Sequence, residues 1–433
     1  MKRLIIYSAL FLSSIVGRSQ ENVYPAKENK GVIYITNATI HAGNGQVIQN
    51  GTIKIKDNKI EAVGSSVTAG SDGKVINAAG KHVYPGLILS NSNLGLVEVN
   101  SVRATSDQRE LGELNPNVRS LVAYNSDSKV IGTLRSSGIL FANIVPDGGL
   151  ISGSSSVVNL DAWNWEDAAY KMDNGIHFHM PNMINRPARF AQAISPQAQV
   201  DPVKRALEQV DKMKAFFSEA RASYKGSNYA SNNLKLQAVK GLFDKSQKLY
   251  VHCNTVKEML VAIDIAKEND FDLVIVGGSE SYQIPELLKQ NNVAVILNQM
   301  HSLPTSPDDD VDQPFKTPAV LQKAGVLFAI NDEDGQTRGR NLSYNAGTAV
   351  AYGLTKEQAL SAITLNAAKV LGIADRTGSI ETGKDANLVI ADGDILDMRS
   401  SNVSHAFIQG RELNLTDKHK QLYERYKYKY NLK

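Results

Sequence analysis

The chain is poor in the residues that most often organise a catalytic or redox centre. It holds one cysteine, Cys253, so no disulfide can close within it. Its neighbours Val251 and His252 place that thiol in a buried strand, where an unreactive core role is expected. Histidine is scarce as well, eight in 433 residues and scattered, which limits any multi-histidine metal centre. An excess of one charge is also missing. Lys and Arg number 47 against 44 Asp and Glu, a formal net charge of +3, which points away from nucleic acid or an anionic membrane as partner. The apolar stretch at residues 4–16 is shorter than the roughly 20 residues a membrane-spanning helix needs.

What is present is ordinary for a globular protein: 42% hydrophobic and 21% charged residues. The length fits one large barrel plus a smaller module. Lys2 and Arg3 precede the short apolar core, and Gly17, Arg18 and Ser19 offer a cleavage point before Gln20. Residues 1–19 therefore read as a signal peptide, and the mature protein as exported, periplasmic or secreted. Residues 31–84 alternate apolar and polar positions, with turn pairs at Asn50-Gly51 and Asp57-Asn58, as in a small all-β module. A module of that size needs help to close its core, and further short strands appear at residues 377–394 and in SHAFIQGREL. Between these ends, apolar strands alternate with helical patterns. Candidate strands are GILFANIVPD, SVVNL, GIHFHMP, KLYVHCN, DLVIVGG, VAVILNQ and VLFAIND, and a long helix is expected over residues 201–225 from Leu207, Val210, Met213 and Phe216. Repeated strand–helix units argue a parallel sheet, most simply a (β/α)8 TIM barrel, whose active site lies at the C-terminal ends of its strands.

The chain is organised around YPGLILSNSNLG, residues 84–95. Leu87, Ile88 and Leu89 form an unbroken apolar run, as in a strand covered on both faces. Asn91 and Asn93 follow two residues apart, so both project to the same side. This stretch resembles the opening barrel strand of the amidohydrolase superfamily, where a Pro-Gly pair leads to an aspartate and a His-x-His metal pair. Here Leu89, Asn91 and Asn93 stand at those positions. The likeness is closest at Gly378, Gly383, Lys384, Asp385, Ala386, Asn387, Leu388 and Val389, which follow the superfamily's closing pattern except that Asn387 replaces an aspartate. The resemblance implies a TIM barrel over residues 85–372. It also implies a composite β-sandwich built from residues 20–84 and 373–433.

The resemblance also implies a set of site positions. His177 stands for the bridging ligand of strand four, His252 for the histidine of strand five, and Asp332 for the aspartate of strand eight. Strand six carries Gly277, Gly278, Ser279 and Glu280 where a histidine is usual, as in an imidazolonepropionase-like branch. In the superfamily the strand-eight aspartate takes a proton from the attacking water and returns it to the leaving nitrogen. Asp332 and His252 are thus the expected catalytic residues, with Asn91, Asn93, His177 and Glu280 in the pocket.

A bound divalent metal lowers the pKa of water from about 15.7 to about 7, worth on the order of 11 kcal/mol at about 1.4 per unit. Amide oxygens suit hard ions better than zinc. At most one divalent metal such as zinc is therefore expected, on His177, His252 and Asp332. His177-x-His179 has ligand spacing, but nothing in the sequence marks its face as inward. The loop at residues 302–315 is acidic and reads either as a lid or as a solvated loop. Two functions stand side by side. One is hydrolysis of non-peptide carbon–nitrogen bonds, cyclic amides among them, with a reduced or absent metal site. The other is a non-catalytic relative that binds a small ligand or a protein partner on the same face, with oligomerisation open in either case.

Overall fold

The computed structural model describes residues 23–183, 201–226, 233–304, 308–333 and 338–432. The expected signal peptide lies outside them. Eight strands form one sheet in which spatial order follows chain order: Leu87–Ser92, Ile139–Ile144, Ile151–Asn159, Ala169–His179, Lys248–Cys253, Leu273–Gly277, Ala294–Leu297 and Phe328–Ile330. This is the TIM-barrel-like sheet expected from the sequence, with one correction. The third strand runs antiparallel to both neighbours. Antiparallel neighbours need no crossover helix, and only residues 145–150 separate the second strand from the third. The start of the third strand therefore lies at the end where its parallel neighbours finish.

Between the last strand and the first, a side chain does the joining. The Asn331 carboxamide accepts from the Ser90 and Asn91 backbone N–H groups at 2.8 and 3.2 Å and donates to the Asn91 carbonyl at 2.8 Å. The Asn331 N–H meanwhile donates to the Leu297 carbonyl at 2.8 Å. A fully buried amide can satisfy that many backbone groups because it carries both donors and an acceptor.

The expected long helix is Pro202–Lys225, capped by the Asp201 side chain, which accepts from Val203 N at 2.9 Å. Val210, Met213 and Phe216 are buried as expected, while Leu207 is exposed. Thr355 caps the helix Lys356–Ala362. It closes a capping box with Gln358, and Glu357 in the first turn bonds to His41 Nδ1 at 2.7 Å.

The β-rich domain draws strands from both ends of the chain. Leu388–Ala391 pairs antiparallel with His82–Pro85, and hydrogen bonding runs through one continuous eight-stranded sheet. Ile33, Ile35, Ile53, Ile55, Leu388 and Phe407 form its separate apolar core. Asn387, the departure from the superfamily pattern, is buried. It donates to Thr377 Oγ1 at 3.0 Å and accepts from the Gln409 N–H at 2.7 Å, which a carboxylate would do only in part. Lys384 bonds to Ser379 and Glu381, a contact within the β-rich domain.

Candidate active site at the mouth of the barrel

The fourth and fifth barrel strands place four rings in two layers. His177 pairs with Tyr250 across the ladder and His179 with His252. The first pair stacks at 4.7 Å between centroids and the second at 4.2 Å. His177 Nδ1 meets His252 Nε2 diagonally at 2.8 Å, and His179 Nε2 meets Ser152 Oγ at 3.2 Å. Both residues of the His177-x-His179 pair thus belong to the histidine cluster, a placement the sequence left unmarked. Burial, reinforced by neighbouring imidazoles, holds His177 and His252 well below the usual imidazole range. Burial also lowers His179, against the pull of Asp147. All three are neutral at pH 7, so one of each bonded pair donates and the other accepts.

Two cavities meet at this cluster. The larger, about 1090 Å³, is lined by residues such as Asn254, Glu258, Glu280, Asn298, Gln299 and Asp309. The smaller, about 420 Å³, is lined by Asn91, Asn93, Gln108, Asp147, His179 and Arg338 among others. His252 and Glu333 line both. Asn91 and Asn93 therefore share one compartment, as their spacing predicts. The larger cavity takes part of its wall from the acidic loop, through Ser302, Leu303, Pro304, Asp309 and Gln313. Asp309 accepts from the Tyr282 hydroxyl at 2.6 Å, and Asp310 and Asp312 pair with Lys316. Residues 305–307 of that loop lie outside the described residues.

The expected carboxylates are placed differently from each other. Glu280 lines the larger cavity, but one of its oxygens accepts from the Val256 N–H at 2.8 Å, at the start of the helix Val256–Asn269 that follows the fifth strand. Asp332 is 5% exposed and lines neither cavity. It pairs with Arg338 at 3.7 Å and accepts from Asn345 at 3.3 Å. Its neighbour Glu333, which the sequence reading passed over, is the carboxylate between the cavities. Asn298 donates to Glu333 Oε2 at 2.9 Å and Gln299 to Oε1 at 2.8 Å. Burial first, and then the Asp332 charge, raise its carboxyl above the usual range. The available signal was positional: polar pairs Asn298-Gln299 and Asp332-Glu333 end the apolar strands seven and eight.

A metal centre requires several open donors around one point. Here the His177 and His252 nitrogens that approach each other are bonded together, and the first-strand positions offer amides. Among the described residues no group of three or more His, Cys, Asp or Glu is arranged to hold a metal ion. The expected His177, His252 and Asp332 set is not assembled, since Asp332 lies outside the compartments that His252 lines. These donors do not fit a divalent metal. On the sixth strand, Gly277 has φ +105°, and a Cβ there would lie 2.6 Å from Asn254 Oδ1, so a histidine at that position would be strained. Cys253 is buried, and burial pushes its thiol up, as expected of a core residue. Trp163 and Trp165 line neither cavity, and Trp163 lies 6.0 Å from Tyr24.

Residues 167–413, more than half the chain, match the model of the Amidohydrolase family. The amidohydrolase tasK of Hapsidospora irregularis is 21% identical over 394 residues. That alignment covers 82% of this chain but only 38% of that protein. An imidazolonepropionase of Mesorhizobium japonicum is 25% identical over 378 residues, covering 81% of this chain and 88% of its own. The crystal structure of an amidohydrolase from Thermotoga maritima superposes with a TM-score of 0.76 at 25% identity, covering 88% of this chain and 99% of that one.

Proposed function

Because the chain belongs to the amidohydrolase family, we propose that it hydrolyses a non-peptide carbon–nitrogen bond of a small molecule at the barrel mouth, with cyclic amides as substrate class and without a divalent metal. The observation that carries this reading is Glu333, a partly desolvated carboxyl with two amide partners, set with His252 where the two cavities meet. A raised carboxyl pKa moves the group toward working pH, where it serves best as base and then acid. In this mechanism ionised Glu333 takes a proton from water as the oxygen attacks the carbonyl carbon. The carbon–nitrogen bond then breaks and the same proton passes to the leaving nitrogen, giving a carboxylic acid and an amine. Neutral His252, oriented by His177, donates to the carbonyl oxygen as negative charge develops there. Asp332, which lines neither cavity, holds Arg338 on the wall of the smaller one.

A second reading, ligand binding without turnover, follows from the resemblance of the first strand, which implies that Asn91 and Asn93 take the positions of the superfamily's metal pair. Turnover of a cyclic-amide panel, followed by amine release together with the zinc content of the protein, separates the two. Ring opening by zinc-free protein, lost in Glu333→Gln, supports the hydrolase. Binding with no ring opening by folded protein supports the alternative. Export to the periplasm or beyond belongs to the same proposal and rests on the N-terminal sequence pattern alone.

A further inference from the structure

The small net charge of the whole chain argued against an anionic membrane as partner, but that charge is unevenly placed. The helix Lys418–Lys429 and the three residues after it carry Lys418, Lys420, Arg425, Lys427 and Lys429 against Glu424, a formal charge of +4. The chain as a whole carries +3, so the rest of it sums to −1.

This helix is held at its start. Asp417 accepts from the His419 and Lys420 N–H groups at 2.7 and 2.9 Å, and from Ser136 Oγ at 2.6 Å, which ties it to the helix Lys129–Ser136. His419 adds contacts of 3.5 Å to Thr133 and Arg340. Beyond Lys420, no side chain of the helix is hydrogen-bonded or ion-paired to another element among the described residues, and none of its residues is buried. Tyr423, Tyr426 and Tyr430 recur three and then four residues apart and so share one face. They are 63%, 52% and 61% exposed. Tyr426 and Tyr430 stack at 6.3 Å between centroids. Lys427 lies over the Tyr423 ring at 5.9 Å and Lys429 over the Tyr430 ring at 5.0 Å, so an ammonium group borders the aromatic stripe on either side.

A second copy of the chain brings the same charge to this stripe and is repelled. An anionic lipid surface suits both the rings and the charge. Tyrosine rings rest at headgroup level with their hydroxyls in water, and lysines lay their stems on apolar surface while their ammonium groups meet phosphate. We propose that the face of Tyr423, Tyr426 and Tyr430 docks this protein on an anionic phospholipid surface, with the helix lying flat and Lys427 and Lys429 on the headgroups. The contact is peripheral, since no helix among the described residues is long and apolar enough to cross a membrane.

Vesicle co-sedimentation of the full-length protein tests it, with phosphatidylcholine vesicles and with vesicles of phosphatidylcholine and phosphatidylglycerol in about a 2:1 ratio. The expected result is binding roughly tenfold tighter to the anionic vesicles, lost in about 1 M NaCl. Replacing Lys427→Gln together with Lys429→Gln loses roughly tenfold of the anionic binding, as does the triple replacement Tyr423→Ala, Tyr426→Ala and Tyr430→Ala. Tyr426→Trp keeps the binding, and its emission moves to the blue on anionic vesicles beyond any shift of the parent, whose tryptophans are Trp163 and Trp165. Every variant keeps residues 1–22, so any contribution of that segment cancels, and circular dichroism establishes that each is folded. Equal binding to the two kinds of vesicle, unchanged binding in either multiple variant, or no added blue shift overturns the proposal. So does a dimer in sedimentation velocity that the tyrosine replacements dissociate, because a second copy then covers the stripe.

Discussion

Two buried polar clusters in this protein are built on opposite terms. At the junction of the barrel and the β-rich domain, Asp385 is 2% exposed and each of its oxygens is engaged. Lys59 pairs with one oxygen, while the Tyr170 hydroxyl at 2.6 Å and Arg376 at 3.1 Å share the other. Arg376 also lies 3.9 Å from the Tyr170 ring. Burial alone would raise the Asp385 carboxyl, but its three donors more than offset that and hold it below the usual range. At the barrel mouth and just beneath it, Asn91, Asn93, Asn143 and His177 each keep a buried polar atom with no partner among the described residues. A buried polar group that is fully bonded joins elements, whereas one left open spends folding stability on something else. The contrast separates a cluster that joins two domains from one that leaves polar atoms open, and the second is where the proposed site lies.

The largest expected effect comes from the histidines. Unfolded imidazoles titrate near pH 6.5, while His177, His179 and His252 titrate lower in the folded chain. Below about pH 6.5 the unfolded state binds protons that the folded state refuses, so stability is full above that pH and is lost as pH falls. Three such groups give a slope of up to about 4 kcal/mol per pH unit, at about 1.4 per proton. Urea unfolding between pH 7.5 and 5.5 measures it, and His177→Phe removes about one third of the slope.

Breaking the architectural cluster comes next. Asp385→Ala strands Tyr170, Arg376 and Lys59 and destabilises by about 3 kcal/mol, read from the urea midpoint at pH 7.5. In the functional cluster, Glu333→Gln leaves stability within about 0.5 kcal/mol but lowers kcat on a cyclic amide about 100-fold. The smallest effect has the opposite sign. Asn143 is fully buried on the second barrel strand, and neither amide atom has a partner among the described residues, so near-isosteric Asn143→Leu stabilises by about 1 kcal/mol in thermal melts.

The architecture was legible in the sequence because it rests on apolar periodicity and turn residues. Leu87 to Leu89 mark the first strand and Val210, Met213 and Phe216 the long helix. The reversal of Ile151–Asn159 was not legible, since a strand's direction leaves no trace in its own pattern. At the site, the shared compartment of Asn91 and Asn93 followed from period two. The choice between Asp332 and Glu333 did not. Adjacent positions in the sequence look alike, and only the folded chain shows that Glu333 lines both cavities and Asp332 neither.

The most direct test of the account is the ring-opening rate of a cyclic-amide panel with protein exhaustively dialysed against chelator. The account predicts a rate that survives chelation and falls about 100-fold in Glu333→Gln. A rate that vanishes on chelation and returns with added zinc would contradict it.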